Sequence, residues 1–232
     1  MRERPILFST PMVKAIRADY KKMTRRTKGL EEINENPQHW MCSGIANDDD
    51  TFTFSSDLFH TDADGLCPYG KPGDVLWVKE TFYAYGHWTK ITENSKSIHK
   101  FHDLTSDNNY LHQFDAEWKP NQQAIRGQFG WHKRPSIFMP KAISRIWLEI
   151  TDVKIERLHD ITEGAALAEG VELEVFNKPK LNHRLEVLGA SYITSFIRLW
   201  SQINGAESWD KNPWVWAIEF KVLSTTGKPS DL

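Results

Sequence analysis

The chain has 232 residues, of which 40% are hydrophobic and 26% charged, and its formal net charge at pH 7 is −2. This size and composition predict one elaborated globular domain over residues 1–232. The near-neutral charge excludes a globally basic nucleic-acid binder, so any such affinity must come from a local cationic patch. Two cysteines are too few for a disulfide-rich secreted scaffold. No signal segment or long apolar run is present, and we expect a cytoplasmic protein with no membrane partner.

The first predicted elements are a strand and a helix. Residues 5–8 suit a short strand, and Thr10 followed by Pro11 predicts the start of a helix. Apolar side chains then recur at helical spacing, so this helix is predicted to continue to Lys22 with one face buried. Residues 75–82 alternate between apolar and polar side chains, which predicts a half-buried strand.

The second half of the chain predicts two strands and two helices. Alternating apolar residues predict strand structure within 143–158, and Asp160 is predicted to cap a short helix that ends at Gly170. A longer helix is predicted over 192–203, followed by a closing strand over 214–222.

Three stretches lack clean periodicity and are predicted to be irregular insertions. They lie at about 29–65, 84–141 and 171–190. The predicted elements follow the order strand, helix, strands, helix, helix, strand, which does not alternate as βαβ units do. We therefore predict an α+β fold, a small mixed β-barrel with flanking helices and a long insertion.

Four cations and one hydroxyl crowd into six residues at the predicted exit of the first helix. They are Lys21, Lys22, Thr24, Arg25 and Arg26. A solvated basic turn explains this composition as well as a functional site does. A functional site needs a reactive group, and a lysine becomes nucleophilic when neighbouring cations or desolvation lower its pKa. Lys21 meets the first condition.

Glu169 is the second candidate, because it lies in the last turn of a predicted short helix, just before Gly170. A carboxylate there faces the negative end of the helix dipole, a position that suits general acid–base chemistry. The alternative is a tolerated surface glutamate, and the sequence pattern alone favours that alternative.

Five stretches, taken in order, resemble the ASCH family, a branch of the PUA-like superfamily. They are residues 19–26, 71–78, 153–158, 161–170 and 215–221. Further stretches are similar to the longer ASCH proteins of phage and prophage genomes; these are residues 67–70, 77–81, 134–140 and 144–145. The resemblance implies a PUA-like barrel and a function directed at nucleosides or RNA.

The resemblance also implies a catalytic set. In ASCH enzymes that hydrolyse N(4)-acetylcytidine, a lysine, a threonine three residues later and a glutamate in a later helix are catalytic, and they fall on Lys21, Thr24 and Glu169. Lys21 would attack or polarise the acyl carbonyl, Thr24 would orient it or stabilise the oxyanion, and Glu169 would relay protons. No cofactor is implied. Asp19 stands where the family has a glycine, and aspartate can imitate a left-handed glycine.

Six further residues are predicted to bind substrate: Arg25, Arg26, Trp77, Glu80, Ser144 and Arg145. Arg26 matches the arginine of the family motif and suits a ribose or phosphate, although a structural salt bridge fits equally well. Trp77 is the favoured platform for stacking on a base. Glu80 and Arg145 fit either a role in the pocket or an ion pair of the barrel.

Other functions stay open at this point. The same cations suit a non-catalytic module that binds single-stranded RNA or a modified base, a metal-independent ribonuclease, or a structural role in a phage. Cys42, His60 and Cys67 lack the spacing of a zinc site, and the acidic residues at 62–64 lack the distal glutamate of a calcium loop. We therefore expect no metal.

Overall fold

The computed structural model describes residues 1–42, 50–56, 58–93, 96–179 and 185–232. The chain forms two compact units, each assembled from separate segments. Unit 1 comprises Met1–Arg4, Ala15–Leu76 and Leu148–Leu223, and unit 2 comprises Pro5–Lys14, Trp77–Trp147 and Ser224–Leu232. The single domain expected from the chain length stays a prediction, because compactness alone does not define a folding domain.

The helices and strands follow one another in this order: β1 Glu3–Leu7, α1 Thr10–Arg17, β2 Met23–Arg26, β3 Met41–Cys42, β4 Thr51–Ser56, β5 Thr61–Leu66, β6 Val75–Lys79, β7 Phe82–Glu93, β8 Lys96–Asp103, β9 Gln113–Phe114, β10 Gly130–Arg134, β11 Trp147–Arg157, α2 Glu163–Ala168, β12 Glu174–Pro179, β13 Leu185–Ser191, α3 Tyr192–Asn204 and β14 Trp214–Ser224. The predicted strands before the first helix, after residue 74 and at the end of the chain are present, as are the three helices, so the α+β class is confirmed.

The strands pair as separate sheets. The largest has the order β1-β6-β11-β14-β2, a second has β10-β7-β8 with β9 added to β7, and two smaller sheets are β3-β4-β5 and β12-β13. Among the residues that the structure describes, the predicted closed barrel is not found. Alternating side chains predict that a segment is a strand, but they do not determine whether the first and last strands of a sheet meet.

The prediction that three stretches are irregular is wrong for the described parts of those stretches. Residues 29–65 contain β3 to β5, residues 84–141 contain most of β7 and all of β8 to β10, and residues 171–190 contain β12 and most of β13. The signal was missing because several of these strands are poorly buried. Most of β8, for example, is exposed, and a strand exposed on both faces lacks the alternation from which strands are recognised.

The first helix ends earlier than predicted, at Arg17 rather than at Lys22. Asp19 adopts a left-handed conformation with φ 62°, which aspartate tolerates better than most residues. The amides of Tyr20 and Lys21 both donate to the carbonyl of Ala15, at 2.9 and 3.1 Å. The chain therefore turns sharply after the helix, and Lys21 lies between α1 and β2 instead of on the helix surface.

The short helix α2 begins at Glu163, and its cap is Thr162 rather than the predicted Asp160. The Thr162 hydroxyl accepts a hydrogen bond from the Ala165 amide at 3.2 Å, as an N-cap residue does. The later helix α3 matches its prediction closely and buries Phe196 and Trp200 in the core of unit 1, against Leu158, Ala166 and Val215. None of the helices that the structure describes is long and apolar enough to span a bilayer.

Candidate functional site

Lys21 is fully buried, although the sequence pattern suits a solvated basic turn. Its ammonium donates three hydrogen bonds, each of 2.8 Å, to the Met23 carbonyl, the Glu169 carbonyl and the Glu169 carboxylate. These three acceptors account for the three hydrogens of a lysine ammonium. The structure therefore brings together two of the three residues predicted to be catalytic.

The Glu169 carboxylate lies between two cations. Lys21 Nζ is 2.8 Å from Oε2, and Arg25 Nη1 is 3.1 Å from Oε1. On its other side, Arg25 donates from Nε to Glu156 Oε1 at 2.8 Å, and its guanidinium carbon lies 5.6 Å from the centroid of the Phe196 ring. Lys21, Glu169, Arg25 and Glu156 thus form a chain of alternating charges, which we call the Lys21 cluster.

Gly170 allows α2 to approach the segment that carries Lys21. It has φ 78°, and a Cβ atom at this position would lie 2.7 Å from Lys21 Cβ and 2.9 Å from Ala15 Cβ. The Lys22 amide also donates to the Ala168 carbonyl at 2.8 Å. A glycine directly after the helix is therefore needed both for its backbone conformation and for its missing side chain.

We expect Gly170→Ala to lower the free energy of unfolding by at least about 1 kcal/mol more than Gly73→Ala does. Gly73 also has a positive φ, of 87°, but a Cβ there meets nothing within 4 Å. Both variants carry backbone strain, and only the first forces a methyl group against Lys21. Urea unfolding of the two variants measures the difference, and equal losses would show that the close approach of α2 has no energetic weight.

Burial lowers the pKa of Lys21 below the ordinary value of a lysine. The Glu169 carboxylate opposes this shift, while the positive charges of Arg26 and Arg25 add to it. Desolvation is the largest of these effects, since a charged ammonium loses its hydration when it is buried. Both conditions for a nucleophilic lysine, crowding by cations and desolvation, are therefore met at this position.

Thr24, the third predicted catalytic residue, lies on β2 opposite Ile218 of β14. It is fully buried, and its hydroxyl has no hydrogen-bond partner among the residues that the structure describes. The structure therefore does not join Thr24 directly to Lys21 or Glu169. Buried hydroxyl groups are nearly always satisfied, so Thr24 differs from most buried threonines.

Arg26 follows on the same strand and is half buried. It hydrogen-bonds to Tyr69, and its charge reaches both Lys21 and Glu169. Burial raises the pKa of the Tyr69 phenol, and the charge of Arg26 opposes that shift. Two roles were left open for Arg26, binding a ribose or phosphate and making a structural salt bridge. The hydrogen bond to Tyr69 favours a structural role.

Sequence reasoning missed one member of the Lys21 cluster, Glu156, and two residues that contact its arginine or the neighbouring Arg26, Phe196 and Tyr69. Tyr69 belongs to a stretch that resembles phage-type ASCH proteins, and this resemblance could have identified it as a candidate. Glu156 is one of two polar residues at the end of the long strand β11, and Phe196 fits the buried face of α3. Neither pattern distinguishes a residue near a site from an ordinary one.

Four of the predicted substrate-binding residues belong to unit 2, and the structure gives most of them partners there. Arg145 donates to both oxygens of Glu80, at 2.8 and 2.9 Å, and to Glu117 at 2.7 Å. The Ser144 hydroxyl donates to the Val78 carbonyl at 3.0 Å. These contacts favour the ion-pair alternative for Glu80 and Arg145, because both carboxylate oxygens are already occupied.

Trp77 is the remaining member of the predicted set. Its side chain is buried, with 9% of the residue exposed. A base needs an open ring face on which to stack, so this burial does not favour the predicted role as a platform.

Lys21, Thr24 and Glu169 do not line the surface clefts found in unit 1. The one of about 270 Å³ is lined by residues of the chain start, by Asp50 and by the 66–74 region, including Arg4 and Cys67. A second lies at residues 55–62. Because Lys21 has no exposed surface, a molecule in solution reaches it only after the side chains that cover it move.

No protein-family model, curated protein or solved structure matches this chain. The ASCH resemblance accordingly rests on the motifs alone. Among the described residues, no group of three or more His, Cys, Asp or Glu side chains is placed to hold a metal ion.

Proposed function

We propose that this chain is an ASCH-type, PUA-like protein of the longer phage or prophage kind, and that it removes the acyl group from a modified cytidine such as N(4)-acetylcytidine. The observation that carries the proposal is the buried Lys21 amine, with its lowered pKa, held 2.8 Å from the Glu169 carboxylate. The unpartnered Thr24 hydroxyl supports it further, since a transition-state oxyanion is a partner that forms only during reaction.

The chemistry follows from the hydrogen bond between the two side chains. Transfer of a proton from Lys21 to Glu169 gives a neutral amine, the form that burial favours. The amine attacks the acyl carbon, and the Thr24 hydroxyl donates to the oxyanion. Glu169 gives its proton to the leaving nitrogen of cytosine and takes one back from the Lys21 nitrogen. Cytidine leaves, and water then hydrolyses the acyl-lysine, which releases the carboxylic acid and restores the amine.

Lys21→Ala is expected to abolish release of cytidine from N(4)-acetylcytidine, because it removes the nucleophile. Thr24→Val should lower kcat about 10²- to 10³-fold through loss of one oxyanion donor, and Thr24→Ser should retain activity. Chromatography measures cytidine, and mass spectrometry of the protein detects acylation at Lys21. Lys22→Ala is the control, since its side chain is 58% exposed and is expected to leave turnover unchanged. Wild-type protein that releases no cytidine, or Lys21→Ala protein as active as wild type, contradicts the proposal.

A binding module without turnover is the second candidate. The observation that favours it is the complete hydrogen bonding of the buried Lys21 ammonium, since an amine held in its protonated form has no lone pair with which to attack a carbonyl. Such a module would bind single-stranded RNA or a modified nucleoside with an affinity that falls as salt rises, and it would release no cytidine. Cleavage of RNA in the presence of a metal chelator would instead identify a ribonuclease.

A further inference from the structure

Arg134 ends strand β10 of unit 2 and lies among three aromatic rings. Its guanidinium carbon is 4.4 Å from the centroid of Phe101, 4.8 Å from that of Trp88 and 5.1 Å from that of Phe138. We call this arrangement the Arg134 cage. Contacts of this kind between a guanidinium and ring faces are favourable, but they do not neutralise a charge.

No acidic side chain in the described part of the chain forms an ion pair with the cation of the cage. Within the described chain Arg134 makes no ion pair, and its Nη1 atom is buried with no hydrogen-bond partner. The carboxylate whose charge acts on it is Asp103, but Asp103 already binds His112 at 2.8 Å and Thr105 at 2.6 Å. A buried N–H without an acceptor is destabilising, so the cage has the form of a site whose acceptor is supplied from outside.

Two neighbouring side chains, Arg126 and Phe138, indicate which kind of ligand would fit the cage. A second cation, Arg126, lies 5.8 Å from the centroid of the Trp88 ring, so two positive charges lie against the same tryptophan side chain. Phe138, in the turn Ser136–Phe138, covers the guanidinium but is itself 60% exposed. Little buried area holds this ring in place, so it can move aside or offer its face to a planar ligand. Two cations suit a phosphate group, and an exposed ring suits a base.

We propose that the Arg134 cage, with Arg126, is a binding site in unit 2 for a phosphate group that carries a nucleobase. The phosphate pairs with Arg134 and Arg126, and the base stacks on Phe138 or replaces it over the guanidinium. A free nucleotide and a unit of a single-stranded nucleic acid share this chemistry. The site is independent of the Lys21 cluster and does not depend on the function proposed for it.

Fluorescence anisotropy of a labelled oligouridylate tests the site. Arg134→Gln should weaken binding about tenfold or more and should reduce the slope of log affinity against log salt by about 0.7 for the lost phosphate contact. Phe138→Ala should weaken binding about tenfold without changing that slope. Lys211→Gln is the matched control, because it removes the same charge from an exposed position outside the cage and should bind as wild type does.

Competition separates the two sources of the ligand. Displacement of the oligomer by uridine monophosphate at comparable concentration identifies a nucleotide site, and displacement by longer strands alone identifies a single-strand site. Equal displacement by polyglutamate contradicts a phosphate-specific cage. If Arg134→Gln does not fold, Arg134→Lys keeps the charge and loses the planar stacking. Wild-type affinity in both Arg134→Lys and Phe138→Ala overturns the proposal, as does a wild-type protein that binds neither oligomer nor nucleotide.

Discussion

Replacing Glu169 by alanine is expected to lower the free energy of unfolding by about 3–5 kcal/mol. The carboxylate is 3% exposed and lies between Lys21 and Arg25, which are also buried. Without this carboxylate, both cations lose a neutralising negative charge, and water cannot replace it because the site is buried. Removing one member of a buried ion pair is costly for this reason, even where the intact pair adds little stability.

Lys21→Met should be much less damaging, at about 1–3 kcal/mol. It removes the charge whose burial is unfavourable, and Glu169 keeps its hydrogen bond from Arg25. The remaining loss comes from three acceptors that lose their donor, the Met23 carbonyl, the Glu169 carbonyl and Oε2 of the Glu169 carboxylate. Urea unfolding compares the variants, and Lys22→Ala, which breaks an exposed pair with Asp19, serves as a control near zero. If Lys21→Met and Glu169→Ala lower the free energy of unfolding equally, the expected difference between removing the lysine and removing the glutamate is wrong.

The pH dependence of stability gives the same experiment a second readout. Because burial lowers the pKa of Lys21, the folded chain binds fewer protons at this side chain than the unfolded chain does, between the lowered pKa and the ordinary value of about 10.4. The contribution of Lys21 to stability therefore rises with pH across that window. The difference in unfolding free energy between wild type and Lys21→Met should show this rise, and a flat difference would indicate a lysine with an ordinary pKa.

Gly86→Ala is expected to cost more than about 3 kcal/mol, a large value for a single methyl group. Gly86 lies on β7 opposite Asp103 of β8 and Gly130 of β10. A Cβ atom there would lie 2.0 Å from the His102 carbonyl oxygen and 2.9 Å from the Phe101 ring. The carbonyl belongs to the backbone of a paired strand, so the overlap is relieved only if β7 and β8 move apart.

The matched control for that substitution is Gly164→Ala in helix α2. A Cβ at Gly164 meets only the Thr162 hydroxyl, at 4.0 Å, and alanine suits a helix better than glycine, so this variant should gain up to about 1 kcal/mol. Thermal unfolding of both variants separates the effect of the β7–β8 contact from the general effect of replacing glycine. Similar melting temperatures would mean that the strands accommodate the methyl group.

Much of the secondary structure was readable from the sequence because burial and periodicity coincide there. Helix α3 and strand β14 each present regular apolar positions, and their predicted limits fall within two residues of the observed ones. The pairing of Lys21 with Glu169 was accessible only through the family motifs. The two residues lie 148 positions apart, and no local pattern connects them.

The burial of Lys21 was not predictable from composition. Six residues rich in cations suit a solvated turn, and the pattern contains nothing that contradicts this. Two backbone features decide otherwise, the left-handed turn at Asp19 and the close packing of α2 at Gly170. Both are tertiary, since each depends on where another segment of the chain passes. The exposed strands of unit 2 were not predicted, because a strand that buries neither face lacks the alternation of apolar and polar residues from which strands are recognised.

Helix α2 has six residues, too few to be stable on its own in water. Its last carbonyl groups are held from outside, that of Ala168 by the Lys22 amide and that of Glu169 by the Lys21 ammonium. A ligand that draws the lysine side chain towards itself therefore also releases the final turn of this helix. Binding of such a ligand and local melting of α2 become linked equilibria, and faster amide exchange at Glu169 and Gly170 would report the arrival of the ligand.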